Sequence, residues 1–422
     1  MEDKTTSPHP SIPVAEEKAQ ASGAPTRLTM TFDKSYVALL QKLPWHKPLS
    51  TWTDRDARYL NVKSGISRHL VRFVKLRGKA FAIKETSEEA AEKEYAAYRK
   101  LWQLGVPTLQ PVGSVVREDR KMLTETKAEM QLESDSTGYV VTRLLEYAIP
   151  DYFLFKRAFT QATRRRIWDA IVRLFIQLHT KGVYWGDASL SNMMILFVND
   201  RFPEIGIRTV LRAVLADAET VEIYPQLSEK LRISDVDYFL ETMEWTEADA
   251  MSSGLARERL MTEADREYIM RRYLDLYEVE REEQSFHLIT KIDVDSMLGP
   301  FEAPGQAKAL LQHIYEHKWY LSERQGRETP IEEAAQDWYV NVFKPVLHLF
   351  EEFSILEEFP ERTAASLYLD IMLHKYYLSK KMGKDVGLGA AFESYSKQFK
   401  GKRRTMEKMM GLARSMKKLF EG

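Results

Sequence analysis

Between Tyr59 and Thr86 apolar and polar residues alternate. The alternation breaks at Gly65 and at Arg77–Lys79, so this stretch predicts strand, turn, strand. The next segment, TSEEAAEKEYAAYRKLWQLG, switches to a helical period. Thr86 or Ser87 caps that helix, acids fill its first turn, and Gly105 ends it. GYVVTRLLEY predicts a strand, and RRRIWDAIVRLFIQLHTKG predicts an amphipathic helix closed by Gly182. Two apolar runs, NMMILFV and TVLRAVLAD, flank the turn-like NDRFPEIG and predict a hairpin. From about Leu240 onward helical periodicity dominates. Thr246–Asp249 and Thr262–Asp265 have the spacing of capping boxes, with aspartate in the glutamate position.

The C-terminal third repeats itself. Residues 314–335 align without gaps on 371–392 at an offset of 57. Ile314, His317, Lys318, Tyr320, Leu321, Ser322, Gly326 and Ala334 recur as Ile371, His374, Lys375, Tyr377, Leu378, Ser379, Gly383 and Ala391. Such density predicts a duplicated helical unit packing as a pair. His317 and His374 carry no carboxylate at a shared ligand spacing, which favours a structural role over a metal site. Arg324 and Arg327, matched by Lys381 and Lys384, form either a basic surface or an ordinary solvated face.

Composition then narrows the class. The chain has 422 residues, a net charge of -1 and no cysteine. Disulfides and thiolate metal sites are excluded, and a cytoplasmic setting fits. The first 26 residues begin acidic, lack an apolar h-region and are rich in Ser, Pro, Ala and Glu. They predict a disordered tail rather than a signal peptide. No uncharged apolar run approaches the length of a membrane span.

The candidate chemistry is phosphoryl transfer. That reaction needs a cation on the nucleotide phosphates, a partner for the cation, oxygen ligands for magnesium and a carboxylate near the acceptor hydroxyl. Lys84 ends the strand AFAIK, where it would contact the phosphates of ATP. On the next helix Ala91, Glu94, Tyr98 and Leu101 share a face. A glutamate on an apolar stripe needs a partner, and Lys84 is the one at hand. Glu92 points elsewhere, and Glu88 and Glu89 serve the helix N-terminus. The loop GDASLSN places Asp187 and Asn192 five residues apart, and Asp217 ends the strand of the predicted hairpin. Asp187 is the candidate catalytic carboxylate, with Asn192 and Asp217 as Mg2+ ligands. Gly65 and Ser67 offer backbone amides to the phosphates, with Arg68 or His69 nearby. That glycine-poor loop reads equally well as an ordinary hairpin turn. Glu219 and Tyr224 could line the acceptor side or merely stabilise a turn.

These motifs resemble the protein-kinase-like superfamily, on its atypical branch near lipopolysaccharide kinases. The segments LPWHKPLSTW, GISRHLVRFV, KEYAAYRKLWQLGVPTLQPVG, WGDASLSN, DAETVEIYPQLS and HKYYLSKKMGKDVGL more closely resemble bacterial proteins carrying a domain of unknown function, DUF4032. The resemblance spans about Leu43 to Gly389. It implies an α+β fold: a two-lobed protein-kinase-like domain, then a mostly helical C-terminal domain with an internal repeat. Three departures bear on function. Trp185 and Gly186 stand where protein kinases carry His-Arg, Ser189 replaces their lysine, and no A-P-E motif follows. These differences point away from a regulated protein kinase and toward a small-molecule, sugar or envelope-lipid acceptor.

The expected organisation is a tail (1–26), a kinase-like domain (27–240, lobes about 43–140 and 141–240), a helical extension (241–300), a duplicated helical domain (301–400) and a basic tail (401–422). Between Lys397 and Phe420 nine residues are basic and one is acidic, with Met406, Met409, Ala413, Met416 and Phe420 at helical spacing. This segment either packs on its own domain or lies on an anionic membrane, the inner face included, or an acidic partner. Sequence-specific nucleic-acid binding is not indicated. The alternative function is a nucleotide-binding pseudokinase that acts as a scaffold through its helical domain.

Overall fold

The computed structural model describes residues 12–18, 26–62, 69–121, 133–145, 148–150, 159–202, 206–254, 259, 261–299, 301–359, 362–396 and 414–415. Contacts divide the chain into two compact units, Met1–Tyr273 and Leu274–Gly422.

In the first unit, seven strands among the described residues form one antiparallel sheet: β1 (Ile12–Lys18), β2 (Thr26–Phe32), β3 (Arg58–Tyr59), β4 (Val71–Leu76), β5 (Lys79–Thr86), β6 (Pro111–Lys121) and β7 (Glu133–Arg143). Their order is β1-β2-β6-β7-β5-β4-β3. β1 lies within the stretch expected to form the tail. It pairs along β2 with Ile12 opposite Phe32. An edge position tolerates Pro13, since one side of an edge strand needs no donor. β4 and β5 join through Arg77 (φ 46) and Gly78 (φ 84), the two positive φ values that match a hairpin to strand twist.

The segment following β2 carries the short helix α1 (Val37–Leu40). Beyond it, Trp45 packs its buried ring against Phe32, Trp52 and Tyr139 at centroid distances of 6.1, 5.2 and 5.6 Å. The tryptophans of LPWHKPLSTW therefore build the core of this lobe. Helix α2 (Glu88–Gln103) packs against β6 and β7. Ser87 caps it, accepting from Ala90 N at 3.3 Å. A Cβ on Gly138 would lie 2.5 Å from the Ala91 methyl, so only glycine lets the helix come this close to β7.

The rest of the unit comprises β8 (Ala148–Pro150), α3 (Gln161–His179), β9 (Val183–Tyr184), β10 (Met193–Phe202), β11 (Gly206–Leu215), β12 (Glu222–Ile223), α4 (Glu229–Ser252) and the first part of α5 (Glu263–Thr290). The predicted hairpin forms, with β10 and β11 paired in unbroken register from Met193↔Leu215 to Phe202↔Gly206. Helix α3 buries Ile167, Trp168, Ile171, Phe175 and Leu178. Two lobes result, one of sheet plus α2 and one mainly of helices and a hairpin. The unit continues past the expected end at 240 because α4 and the start of α5 complete its core, through Val236, Phe239, Met243, Ile269 and Tyr273.

One capping expectation holds and one fails. Thr262 and Asp265 bond reciprocally at the start of α5, at 3.0 and 3.2 Å. Thr246 lies inside α4, which is already capped by Ser228, and its hydroxyl donates back to Thr242 O at 2.7 Å. Continuous helical register leaves no free amide for Thr246 to cap.

The second unit is helical: α6 (Gln306–Gln325), α7 (Ile331–Trp338), α8 (Lys344–Glu352), α9 (Ile355–Glu358), α10 (Ala364–Met382) and α11 (Gly387–Ser396). The repeat appears as two matching hairpins, α6–α7 and α10–α11. Gly326 and Gly383 close α6 and α10 in the left-handed conformation, at φ 65 and 67. Lys318 pairs with Glu328 and Lys375 with Asp385, both at 3.0 Å. The hydroxyls of Ser322 and Ser379 accept from Thr329 N and Val386 N. Ile314, Ile371, Ala334 and Ala391 are fully buried. No helix among the described residues is long and apolar enough to cross a membrane.

Candidate functional site

Three elements bring charge to one point. Lys84, near the end of β5, lies 2.9 Å from the Glu94 carboxylate on α2. Its ammonium also donates to Asp217, just past β11, at 3.0 Å. Glu219 stands 3.8 Å away and faces His69 at 3.9 Å. Carboxylate oxygens of Glu94, Asp217 and Glu219 all lie within 4.8 Å of one another. An all-oxygen set of this kind suits a hard divalent cation such as Mg2+.

Glu94 is buried, with 2% of its surface exposed. Burial, reinforced by Asp217 and only partly countered by Lys84, pushes its carboxyl up to about 7. Burial also works against the Lys84 charge, but Glu94 and Asp217 outweigh it and hold the ammonium above its ordinary range. A carboxyl raised from 4.5 to about 7 contributes most to stability below its unfolded value. That contribution is lost as pH rises toward 7, because the unfolded chain releases the proton first. Glu94→Gln removes this dependence. Its melting temperature relative to wild type should rise by several degrees between about pH 5 and about pH 8, followed by calorimetry.

One turn along α2, the fully buried Tyr98 hydroxyl donates to Ala216 O at 2.6 Å. It ties the helix carrying Glu94 to the residue preceding Asp217. Tyr98→Phe should leave that carbonyl unpaired and cost about 1–2 kcal/mol, measurable by urea unfolding.

The second cluster is the loop between β9 and β10. Asn192 Nδ2 donates to Asp187 Oδ2 at 2.9 Å and to Asp187 O at 3.1 Å, fixing both side chains. Two bonds join this loop to the Asp217 segment. Ala216 N donates to Asn192 O at 2.8 Å, and the indole of buried Trp185 donates to Asp217 O at 3.1 Å. Gly186, immediately before Asp187, has φ 80, a conformation that glycine adopts without steric cost.

Beneath the loop lies a residue that sequence reasoning missed. Asp235, on α4, is buried and accepts from Trp185 N at 2.7 Å and from Gly186 N at 2.8 Å. His179 Nε2 approaches the same carboxylate at 3.2 Å, and its Nδ1 lies 2.7 Å from the Tyr273 hydroxyl. Burial outweighs Asp235 and lowers the His179 value, which favours the neutral ring. Since a carboxylate only accepts, Nε2 carries the proton and Nδ1 accepts from Tyr273. A signal did exist. Asp235 shares the apolar stripe of Val236, Phe239 and Met243, the pattern that marked Glu94.

Lys84, Glu94, Asp217, Asp187 and Asn192 thus fall into two linked clusters. Gly65, Ser67 and Arg68 lie outside the described residues. The Tyr224 hydroxyl donates to the nearby Glu222 carboxylate. His317 pairs with Asp337 at 2.7 Å, and His374 packs on the Tyr395 ring at 5.6 Å, so the two histidines do not share one set of ligands. The basic stretch 397–420 is outside the described residues except Arg414 and Ser415.

Residues 306–399 match the family described as a domain of unknown function, DUF4032. A search of curated proteins finds no match. Similar solved structures include WaaP in complex with acyl carrier protein, at 17% identity over 53% of this chain and 84% of that one, with a TM-score of 0.33. An aminoglycoside-3'-phosphotransferase of type VIII matches at 13% identity over 51% of this chain and 85% of that one, with a TM-score of 0.32. The Rio2 kinase from Chaetomium thermophilum matches at 16% identity over 43% of this chain and 54% of its own, with a TM-score of 0.29.

Proposed function

We propose that this chain, a kinase-like unit followed by a DUF4032 domain, transfers phosphate from ATP to a hydroxyl of a small molecule, sugar or envelope lipid. The observation that carries the reading is the meeting of Lys84, Glu94 and Asp217 from three separate elements, beside the Asp187–Asn192 pair. In this reading Lys84 binds the α- and β-phosphates, and Glu94 holds its ammonium in place. Asp217 and the Asn192 amide oxygen hold Mg2+, which neutralises phosphate charge when bound. Asp187 orients the acceptor hydroxyl and takes its proton. Most of the rate comes from positioning and charge neutralisation, which explains why the site is fixed by hydrogen bonds among its own residues.

Titration of ATP with Mg2+ against the full chain, followed by transfer of labelled γ-phosphate to sugar and lipid acceptors, tests the reading. Asp187→Asn should bind nucleotide as wild type does and lose turnover by about 10²–10⁴-fold. Nucleotide binding without transfer to any acceptor would favour the scaffold reading, and no binding would remove both.

A further inference from the structure

The repeat gives an internal comparison of which side chains two copies of one unit retain. Ile314 and Ile371, like Ala334 and Ala391, fill the core. Lys318 and Lys375 make equivalent ion pairs, Ser322 and Ser379 hold equivalent loops, and Gly326 and Gly383 close equivalent helices. One shared feature has no such internal role. Trp319 and Tyr320 on α6 recur as Tyr376 and Tyr377 on α10. All four rings face solvent, at 59, 66, 59 and 61% exposure. Their geometry recurs too, with centroid separations of 5.0 and 5.5 Å and an interplanar angle of 69° in both pairs.

Large exposed aromatics at matched positions are not explained by packing, and grouped apolar exposure marks interaction sites. The flanking residues identify the chemistry. Arg324 follows Tyr320 by one turn, beside the exposed acids Glu316 and Glu323, whereas Lys381 follows Tyr377 by the same spacing with no acid between Ile371 and Lys384; both cations are exposed. Lys380 and Lys384 add exposed cations beside the second pair, and neither has an ion-pair partner among the described residues. Leu373 and Met382 add exposed aliphatic surface on α10. Beyond α11 the chain continues into the stretch with nine basic residues and one acid.

We propose that the two aromatic pairs of the repeat form a docking surface for the headgroup region of an anionic lipid bilayer. Tyr and Trp suit that region because each joins an apolar ring to a polar tip. Long cations one turn away reach lipid phosphates while their stems cover apolar surface. None of these residues takes part in the proposed phosphotransfer, so the proposal stands whether or not the chain transfers phosphate.

The test is flotation of the full chain with phosphatidylcholine vesicles, with and without phosphatidylglycerol. Wild type should float with the anionic vesicles and be released by salt. Combined Trp319→Ser, Tyr320→Ser, Tyr376→Ser and Tyr377→Ser should weaken binding at least about ten-fold, while replacement of all four by Phe keeps most of it. Thermal unfolding verifies that each variant folds. Should the serine variant not fold, Tyr376→Ser with Tyr377→Ser serves in its place. Wild-type binding by the folded serine variant would overturn the proposal and leave the basic tail as the anchor. Absence of vesicle binding also overturns it. So does a concentration-dependent dimer, or RNA binding, that replaces vesicle binding and is lost in the serine variant.

Discussion

Asp217→Ala is expected to reduce phosphotransfer by at least about 10³-fold while leaving the fold intact. The carboxylate is half-buried and lies 3.0 Å from Lys84. Its removal leaves Lys84 paired with Glu94 at 2.9 Å, so no charge is stranded. Asp217 is also one of the groups that push the Glu94 carboxyl up. Relieving that repulsion should keep the melting temperature at or slightly above the wild-type value. Turnover and calorimetry on the same preparation separate the two effects. A variant that transfers phosphate normally would sink the assignment of Asp217 as the metal ligand.

Asp235→Ala should do the opposite and destabilise the first unit by about 3–5 kcal/mol. The substitution strands Trp185 N, Gly186 N and the His179 ring beneath the Asp187 loop, with Trp185 and His179 buried and Gly186 half-buried. Water cannot reach the Trp185 and His179 donors cheaply, so these carry their desolvation cost without a partner. Asp235→Asn retains one acceptor oxygen and should fall between the alanine variant and wild type. Urea unfolding of both variants gives the order. Equal stability of alanine variant and wild type would show that the loop finds other acceptors.

The contrast between these two aspartates shows what was legible in the chain. Glu94 could be paired with Lys84 before any coordinates, because a charge on an apolar helix face must find a partner and the preceding strand offered one. Asp187 and Asn192 were visible by spacing, and the β10–β11 hairpin by two apolar runs around a turn. Asp235 has the same apolar-stripe pattern as Glu94. Its partners, however, are backbone amides of Trp185 and Gly186, fifty and forty-nine residues away. Backbone donors carry no residue identity, so no pattern names them. Thr246 misled for a related reason: four residues give the spacing of a cap, but only the length of α4 decides whether an amide there is free.

By itself the sequence determined the local elements, the duplication of the helical unit, and the residue types able to handle phosphate and a hard cation. Those follow from periodicity, caps and charge, which act over a few residues. Tertiary structure decided which carboxylate supports which loop, how far the first unit extends, and which of the repeated aromatics stay in solvent. Those outcomes depend on burial, a property of the folded surface that side chains distant in the chain set together.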